Sequence, residues 1–224
     1  LSREWGQVLA VVGVGYASLG VQTFDPALQA AIGRVQPDAD IVRAVDLLRE
    51  NGVGSLNFDL MYGLPGQTLL ELEATLERAV ELGPDRIALF GYAHVPHMLP
   101  RQRRIDATAL PDQTERFAMA EFGYRLLTSA GYVAIGFDHF AKPGDPMARA
   151  LEQGRLHRNF QGFTDDPAKV LVGLGASAIG CFPDVLIQNE KNAGRYRMLL
   201  SQDRLPATHG VRRSVEDRRR GAVI

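Results

Sequence analysis

Short apolar runs alternate along the chain with longer segments in which apolar residues recur every three or four positions. The apolar runs cover residues 16–21, 55–61, 86–92 and 132–136, and their lengths are typical of β-strands. The segments 25–34, 40–51, 69–82 and 112–129 have the spacing of amphipathic helices. Strands that alternate with helices predict parallel βαβ units. The strands are apolar at nearly every position, which predicts that both faces of the sheet are covered.

Local signals predict where these helices begin and end. Three helix starts have a side chain that can cap the first turn: Asp25, Thr68 and Asp112. The latter two are followed three positions later by a glutamate, which completes a capping box. Helix ends are predicted at four glycines: Gly13, Gly52, Gly83 and Gly131. Further helices are predicted over residues 1–12, 145–153 and 192–202.

The stretch from Asn57 to Thr68 is the exit of a strand, a tight turn and the start of a helix. In α/β proteins, ligands meet side chains at the carboxyl ends of parallel strands. An acid at this position, Asp59, is costly to bury without a partner. It therefore either holds a ligand or is satisfied by the backbone of the following turn.

The motifs that are missing narrow the fold class. The chain contains neither a Gly-rich dinucleotide loop nor a P-loop. We therefore favour an α/β fold that is part of a (β/α) barrel over a Rossmann fold. Beyond residue 140 the pattern changes, and we place the domain boundary between residues 1–136 and 137–224.

Composition limits the classes of function. Of 224 residues, 46% are hydrophobic and 23% are charged, and the formal net charge of -1 gives no basic field for nucleic acid. No apolar run reaches the roughly 20 residues that cross a bilayer. We expect a soluble, cytoplasmic chain that contacts neither nucleic acid nor membrane. The single cysteine, Cys181, excludes an intramolecular disulfide and a thiolate cluster supplied by this chain alone.

Polar or small residues follow each predicted strand: Gln22, Asp59, Ala93 with His94, and Asp138 with His139. A barrel gathers such exits on one rim, so we expect one site there. A carboxylate there can accept hydrogen bonds from ribose hydroxyls or an amine. Arg34, on the helix after the first strand, can bind a carboxylate in a bidentate manner. On spacing alone, Gln22 and Arg34 are better explained as ordinary polar residues of the surface than as ligand contacts.

Three histidines raise the possibility of a metal site: His94, His139 and His157. With two carboxylates they could bind zinc or iron. They are scattered, however, without a His-x-His or His-x-x-x-His pair. We therefore predict no metal ligands in this chain.

Several motifs together resemble the oxygen-independent coproporphyrinogen III oxidases, which are radical S-adenosylmethionine enzymes of haem biosynthesis. They are Ser18 to Phe24, Asn57 to Thr68, Tyr92 to His94, Asp138 to Pro143 and His157 to Thr164. The resemblance extends from about Gly13 to the C-terminus. It implies the last units of an incomplete radical S-adenosylmethionine (β/α) barrel, followed by the start of a helical C-terminal domain.

The resemblance also implies a ligand set for S-adenosylmethionine. By motif, the matching positions are Gln22, Arg34, Asp59, Met61, Ala93 and Ile179. The implied reaction converts propionates of coproporphyrinogen III to vinyl groups of protoporphyrinogen IX through a deoxyadenosyl radical. An external electron donor and a monomeric full-length enzyme are implied as well.

The chain departs from the family at its cluster motif. The family's Cys-x3-Cys-x2-Cys, which holds a [4Fe–4S] cluster, is absent, as is the glycine-rich loop after the second barrel strand. We therefore expect a fragment without catalytic residues of its own, inactive in isolation. Two alternatives stay open: a haem chaperone-like relative, and a non-catalytic barrel remnant that binds a nucleoside.

Overall fold

The computed structural model describes residues 1–160 and 162–221. Gln161, which belongs to the predicted motif from His157 to Thr164, lies outside the described residues, as do residues 222–224. The chain divides into two compact units, Leu1–Glu152 and a second that starts at Gln153. The boundary predicted after residue 136 concerns the extent of a barrel and stays a prediction.

The first unit alternates helices with strands. Its elements are α1 (Arg3–Val11), β1 (Tyr16–Gln22), α2 (Pro26–Ala31), α3 (Asp38–Glu50), β2 (Ser55–Tyr62), α4 (Leu69–Leu82), β3 (Arg86–Gly91), α5 (Gln113–Ser129), β4 (Val133–Ile135), β5 (His139–Ala141) and α6 (Pro146–Glu152). Two short 3₁₀ helices, Pro100–Arg104 and Ala107–Ala109, lie between β3 and α5.

The predicted caps are confirmed at the helix ends. Asp25 accepts a hydrogen bond from the backbone N–H of Leu28, at the start of α2. The capping boxes that begin at Thr68 and Asp112 are both formed. Gly83 ends α4 with φ of 64°, a left-handed conformation that glycine adopts without a Cβ penalty.

The five strands of the first unit form one sheet in the order β1-β2-β3-β5-β4. β1, β2 and β3 are parallel neighbours, as predicted. β4 confirms the strand predicted over residues 132–136 and runs in the same direction as β3, but it does not pair with β3, because β5 lies between them. β4 is followed at once by a turn at Gly136, so the chain folds back and β5 pairs antiparallel with both β4 and β3.

β2 shows that the strands are not covered equally on both faces. One face is completely buried against the helices: Leu56, Phe58 and Leu60. The alternate positions are half-buried: Asn57, Asp59 and Met61. The prediction of two covered faces is therefore wrong for β2, because successive side chains point to opposite sides of the sheet and only one side packs into the core.

A buried ion pair ties α6 to the amino ends of the strands. Asp145, whose side chain is 1% exposed, accepts from Arg86 Nε at 2.9 Å. The same carboxylate accepts from Ser55 Oγ at 3.0 Å and from the N–H of Met147 at 2.8 Å. Its hydrogen-bonding capacity is thus largely used within the fold.

The second unit contains β6 (His157–Asn159), β7 (Gly162–Thr164), β8 (Ile179–Cys181), β9 (Val185–Asn189), α7 (Ala193–Ser201), β10 (Ala207–Arg212) and α8 (Val215–Gly221). β6 and β7 form a hairpin, and β10, β9 and β8 form an antiparallel sheet. α7 confirms the helix predicted over 192–202. The resemblance implied the start of a helical domain here. Among the described residues of this unit, α7 and α8 are the only α-helices.

No described helix combines the length and apolar character needed to cross a bilayer.

The Asp145→Asn variant should destabilise the first unit. It leaves the Arg86 guanidinium partly buried without a counter-charge, and breaking a buried pair in this way typically costs about 3–5 kcal/mol. Urea unfolding followed by circular dichroism measures the change. Asp40→Asn, which removes the exposed partner of Arg43, is the matched control and should cost less than about 1 kcal/mol. Equal effects of the two variants would contradict the structural role of Asp145.

Stability should also fall at high pH through Tyr132. Burial, and secondarily the charge of Asp85, raises the pKa of Tyr132 to about 12, and its hydroxyl donates to the carbonyl of Pro84. The unfolded chain loses this proton near pH 10, so the stabilising contribution is complete below pH 10 and is lost as the pH rises to about 12. The stability advantage of the wild type over Tyr132→Phe should therefore shrink by about 1.4 kcal/mol per pH unit in that window. Unfolding curves at a series of pH values test this, and a constant difference would contradict it.

Candidate functional site

The carboxyl ends of β1, β2 and β3 form one edge of the parallel part of the sheet. The register pairs Gly20 with Asp59, and Met61 with Phe90. The sequence-predicted residues Gln22, Asp59, Met61 and Ala93 therefore follow one another on adjacent strands or directly after them. We call this set of strand ends the carboxyl edge.

Gln22 stands at an irregular point of β1. The register shifts between Gly20 and Gln22, so that Gln22 pairs with Leu60, and its φ is 69°. Left-handed backbone is uncommon for residues with a Cβ and costs about 1–2 kcal/mol. The residue is 8% exposed, and its Oε1 has no hydrogen-bond partner among the described residues. A buried acceptor on strained backbone is a feature typical of a ligand site.

Arg34 reaches this edge from the segment after α2. Its Nη2 donates to the carbonyl of Gly20 at 2.7 Å. A Cβ on residue 20 would lie 2.8 Å from that nitrogen and 2.9 Å from Gln22 Nε2. The Arg34 guanidinium and the Gln22 amide thus both lie against Gly20 on β1, and a side chain at position 20 would displace them. The remaining guanidinium donors of the exposed Arg34 can bind a carboxylate.

Asp59 is held by side chains rather than by the turn after β2. Its Oδ2 accepts from Ser18 Oγ at 3.0 Å, and its Oδ1 accepts from Asn57 Nδ2 at 2.7 Å. Asn57 Nδ2 also donates to Ser18 Oγ at 2.9 Å. The network fixes the carboxylate while leaving it half-buried, with lone pairs free to accept from a ligand hydroxyl or amine.

Sequence reasoning did not single out Ser18 and Asn57 as site residues. The available signal was the two-residue period of a strand, which places Asn57 on the same face as Asp59.

Met61 and Ala93 complete the edge with apolar and backbone groups. Met61 packs against a small core cluster of Leu28, Leu64 and Tyr92. The carbonyl of Ala93 accepts from Gln102 Nε2 at 2.8 Å. Ala93 therefore offers a ligand its exposed methyl group more readily than its carbonyl.

Arg116 of α5 stabilises the exit of β3. Its Nη2 donates to the carbonyl of Tyr92 at 2.8 Å, directly before Ala93. The same nitrogen packs closely against Gly91, where a Cβ would lie 3.2 Å from it. Arg116 thus holds the backbone of the carboxyl edge at the end of β3.

The predicted histidines make local contacts. His94 Nδ1 lies 3.2 Å from the hydroxyl of Tyr92, whose pKa burial raises. His139 Nδ1 lies 2.6 Å from Asp138 Oδ1. In the part of the chain that the structure describes, no three His, Cys, Asp or Glu residues are grouped to hold a metal ion.

The remaining predicted contact, Ile179, lies on β8 of the second unit, where it pairs with Gln188. His157 lies on β6 of the same unit. Their roles at a site stay predictions.

The carboxyl edge offers complementary chemistry. Asp59 supplies a fixed negative acceptor, Arg34 a cation, and Gln22 a buried neutral acceptor. Met61 adds apolar contact beside them. This combination suits a ligand with hydroxyls, a carboxylate, a donor N–H and an apolar part.

Comparison with known proteins shows similarity to one family over nearly the whole chain. Residues 1–79 match the model of the Radical SAM superfamily. Oxygen-independent coproporphyrinogen III oxidase from Paracoccus denitrificans is 47% identical over 96% of this chain and 48% of its own length. The enzyme of the same name from Bradyrhizobium diazoefficiens is 45% identical over 100% of this chain and 50% of its own length.

A solved structure agrees with the sequence matches. The coproporphyrinogen III oxidase of Escherichia coli superposes with a TM-score of 0.92 at 36% identity, over 100% of this chain and 51% of that chain. These matches confirm the resemblance drawn from the motifs and the α/β class. The chain spans about half the length of the curated relatives it matches.

The strain at Gln22 can be measured with two substitutions. Asn tolerates left-handed backbone and Val does not. Gln22→Val should therefore be about 1–2 kcal/mol less stable than Gln22→Asn in urea unfolding. Equal stabilities would mean that the bulge relaxes and that the conformation at Gln22 is not imposed by its surroundings.

Proposed function

We propose that this chain, a homologue of oxygen-independent coproporphyrinogen III oxidases over about half their length, supplies the adenosyl-binding edge of such an enzyme. The supporting observation is the meeting of Gln22 and Arg34 over Gly20, which is the register partner of Asp59. Their polar groups match those of S-adenosylmethionine, which has ribose hydroxyls, an amino acid end and an adenine.

The residues fit this cofactor in a specific way. Asp59 would accept from the ribose hydroxyls, and Arg34 would bind the carboxylate. The unpartnered Oε1 of Gln22 would accept from an N–H donor of the ligand. Met61, Ala93 and Ile179 would contribute apolar contact. We assign no catalytic residue and no metal ligand to this chain.

The residues of this chain suit S-adenosylmethionine but not the iron–sulfur cluster. Three thiolates hold a [4Fe–4S] cluster in the family, and this chain has the single cysteine Cys181, so its residues do not fit the cluster. We derive no step through it. S-adenosylmethionine, when bound in a radical enzyme, supplies the capacity to abstract a hydrogen atom from the substrate. This chain's own part is to bind the cofactor and fix its orientation.

The proposed reaction of the whole enzyme is oxidative decarboxylation of coproporphyrinogen III propionates to vinyl groups, with an external electron donor. In this proposal β1, β2 and β3 are units of a partial (β/α) barrel. Their half-buried face, which contains Asn57 and Asp59, faces its interior. Polar residues on that face support the assignment, because a filled apolar core would exclude them.

A second candidate is a protein that binds an adenosyl ligand without turnover. The single cysteine of this chain is compatible with it, since Cys181 lies on β8 rather than after a strand of the parallel sheet. Reconstitution with iron, sulfide and a reductant separates the candidates. Cofactor cleavage that needs an added polypeptide with the cysteine triplet supports the oxidase. Binding without cleavage under the same conditions supports the second candidate.

Titration calorimetry with S-adenosylmethionine tests the carboxyl edge. The wild-type chain should bind saturably, and Asp59→Asn should weaken binding by about tenfold, because a charged acceptor contributes about 1.5–3 kcal/mol. Asp46→Asn, at an exposed position of α3, is the matched control and should leave the affinity unchanged. Absence of binding by the wild type, or equal affinity of Asp59→Asn, would contradict the proposal.

A further inference from the structure

An open cleft of about 570 Å³ lies next to the carboxyl edge, between the end of α2 and the 3₁₀ helix Pro100–Arg104. Its walls come from residues 30–33 and from Pro100, Arg101, Arg104 and Ile105. All of them lie in the first unit. The assignments to the adenosyl ligand do not use this cleft.

The floor of the cleft is apolar and continuous with the edge. Ile32 and Ile105 pack, together with Met61, against the buried cluster of Leu28, Leu64 and Tyr92. Arg34, which reaches Gly20, directly follows Gly33 of the cleft wall. A molecule in the cleft would therefore lie beside a ligand at the carboxyl edge.

Two cations line this apolar cleft. Arg101 and Arg104 are exposed, and neither is in an ion pair among the described residues. The described lining includes no Asp or Glu. The nearby Asp106 is occupied, because its carboxylate accepts from the N–H and the hydroxyl of Thr108. The two guanidinium groups are thus available to an anion from outside the chain.

Arg103, in contrast, does not line the cleft. Its Nε donates to the carbonyl of Pro96 at 3.3 Å. Two arginines of the same 3₁₀ helix therefore line the cleft and one does not. Arg103 is thus a control that has the same charge but lies outside the cleft.

We propose that Arg101 and Arg104 bind a carboxylate side chain of the substrate, whose ring rests on Ile32 and Ile105. This inference rests on the proposed function, which requires a polycarboxylate tetrapyrrole next to the adenosyl ligand. A guanidinium binds a carboxylate in a bidentate manner, and an apolar floor favours a ring over a small hydrated anion. Arg101 and Arg104 are thus positioning residues that fix which part of the ring faces the cofactor.

The test uses coproporphyrin III, the stable oxidised tetracarboxylate, as a fluorescent probe of the full chain. Arg101→Gln and Arg104→Gln should each weaken its binding by at least about tenfold. Arg103→Gln, with the same change of charge, should shift the affinity by less than twofold. The tetramethyl ester of coproporphyrin III, which lacks the carboxylates, should bind weakly and equally to all variants.

Several results would overturn the inference: no binding of coproporphyrin III, equal loss in all three variants, or equal affinity for the ester. Displacement of the probe by inorganic phosphate at millimolar concentration would also overturn it, since the cleft would then be a general anion site.

Calorimetry with S-adenosylmethionine on the same variants keeps the two proposals separable. If the wild-type chain does not bind S-adenosylmethionine, that result contradicts the proposed function alone. Unchanged porphyrin binding in Arg101→Gln and Arg104→Gln contradicts this inference alone.

Discussion

The parallel pairing of β1 with β2 is the constraint on which the site depends. Because Gly20 is opposite Asp59, a carboxylate on one strand lies beside the backbone over which Gln22 and Arg34 meet. A shift by one residue would turn Asp59 to the opposite face of the sheet, where Leu56, Phe58 and Leu60 are completely buried. The hydrophobic face therefore sets the register, and the register places the polar groups.

The two ends of the parallel strands have different physical roles. At the amino end, Asp145 is buried and accepts hydrogen bonds from Arg86, Ser55 and Met147, which suits a structural anchor. At the carboxyl end, Gln22 has left-handed backbone and a buried Oε1 without a partner among the described residues. Strain and unmet hydrogen-bonding capacity are tolerated at one end because the other end and the core supply stability.

Local signals predicted most of the first unit, and non-local pairing accounts for what they missed. Thr68, Asp112 and Gly83 act within one turn of helix, so the sequence alone located the ends of α4 and the start of α5. β4 was predicted as a strand, but β5 was missed: it follows a turn at Gly136 and lies antiparallel between β3 and β4, and its three residues are too short to give a periodic signal. Gln22 and Asp59 were found as strand exits, whereas Ser18 entered the site only through its cross-strand bond to Asp59.

Cofactor binding and radical chemistry place different demands on a chain, and the site proposed here concerns only binding. An adenosyl ligand needs a few oriented donors and acceptors, which adjacent strand ends provide without metal. A [4Fe–4S] cluster needs three thiolates on one loop, and a single cysteine on β8 cannot replace them. Because the carboxyl edge is held by bonds within the first unit, such as Arg116 to Tyr92 and Asn57 to Asp59, its geometry does not depend on the cluster. The carboxyl edge can therefore form without a cluster, and the ligand binding proposed for it can be measured separately from turnover.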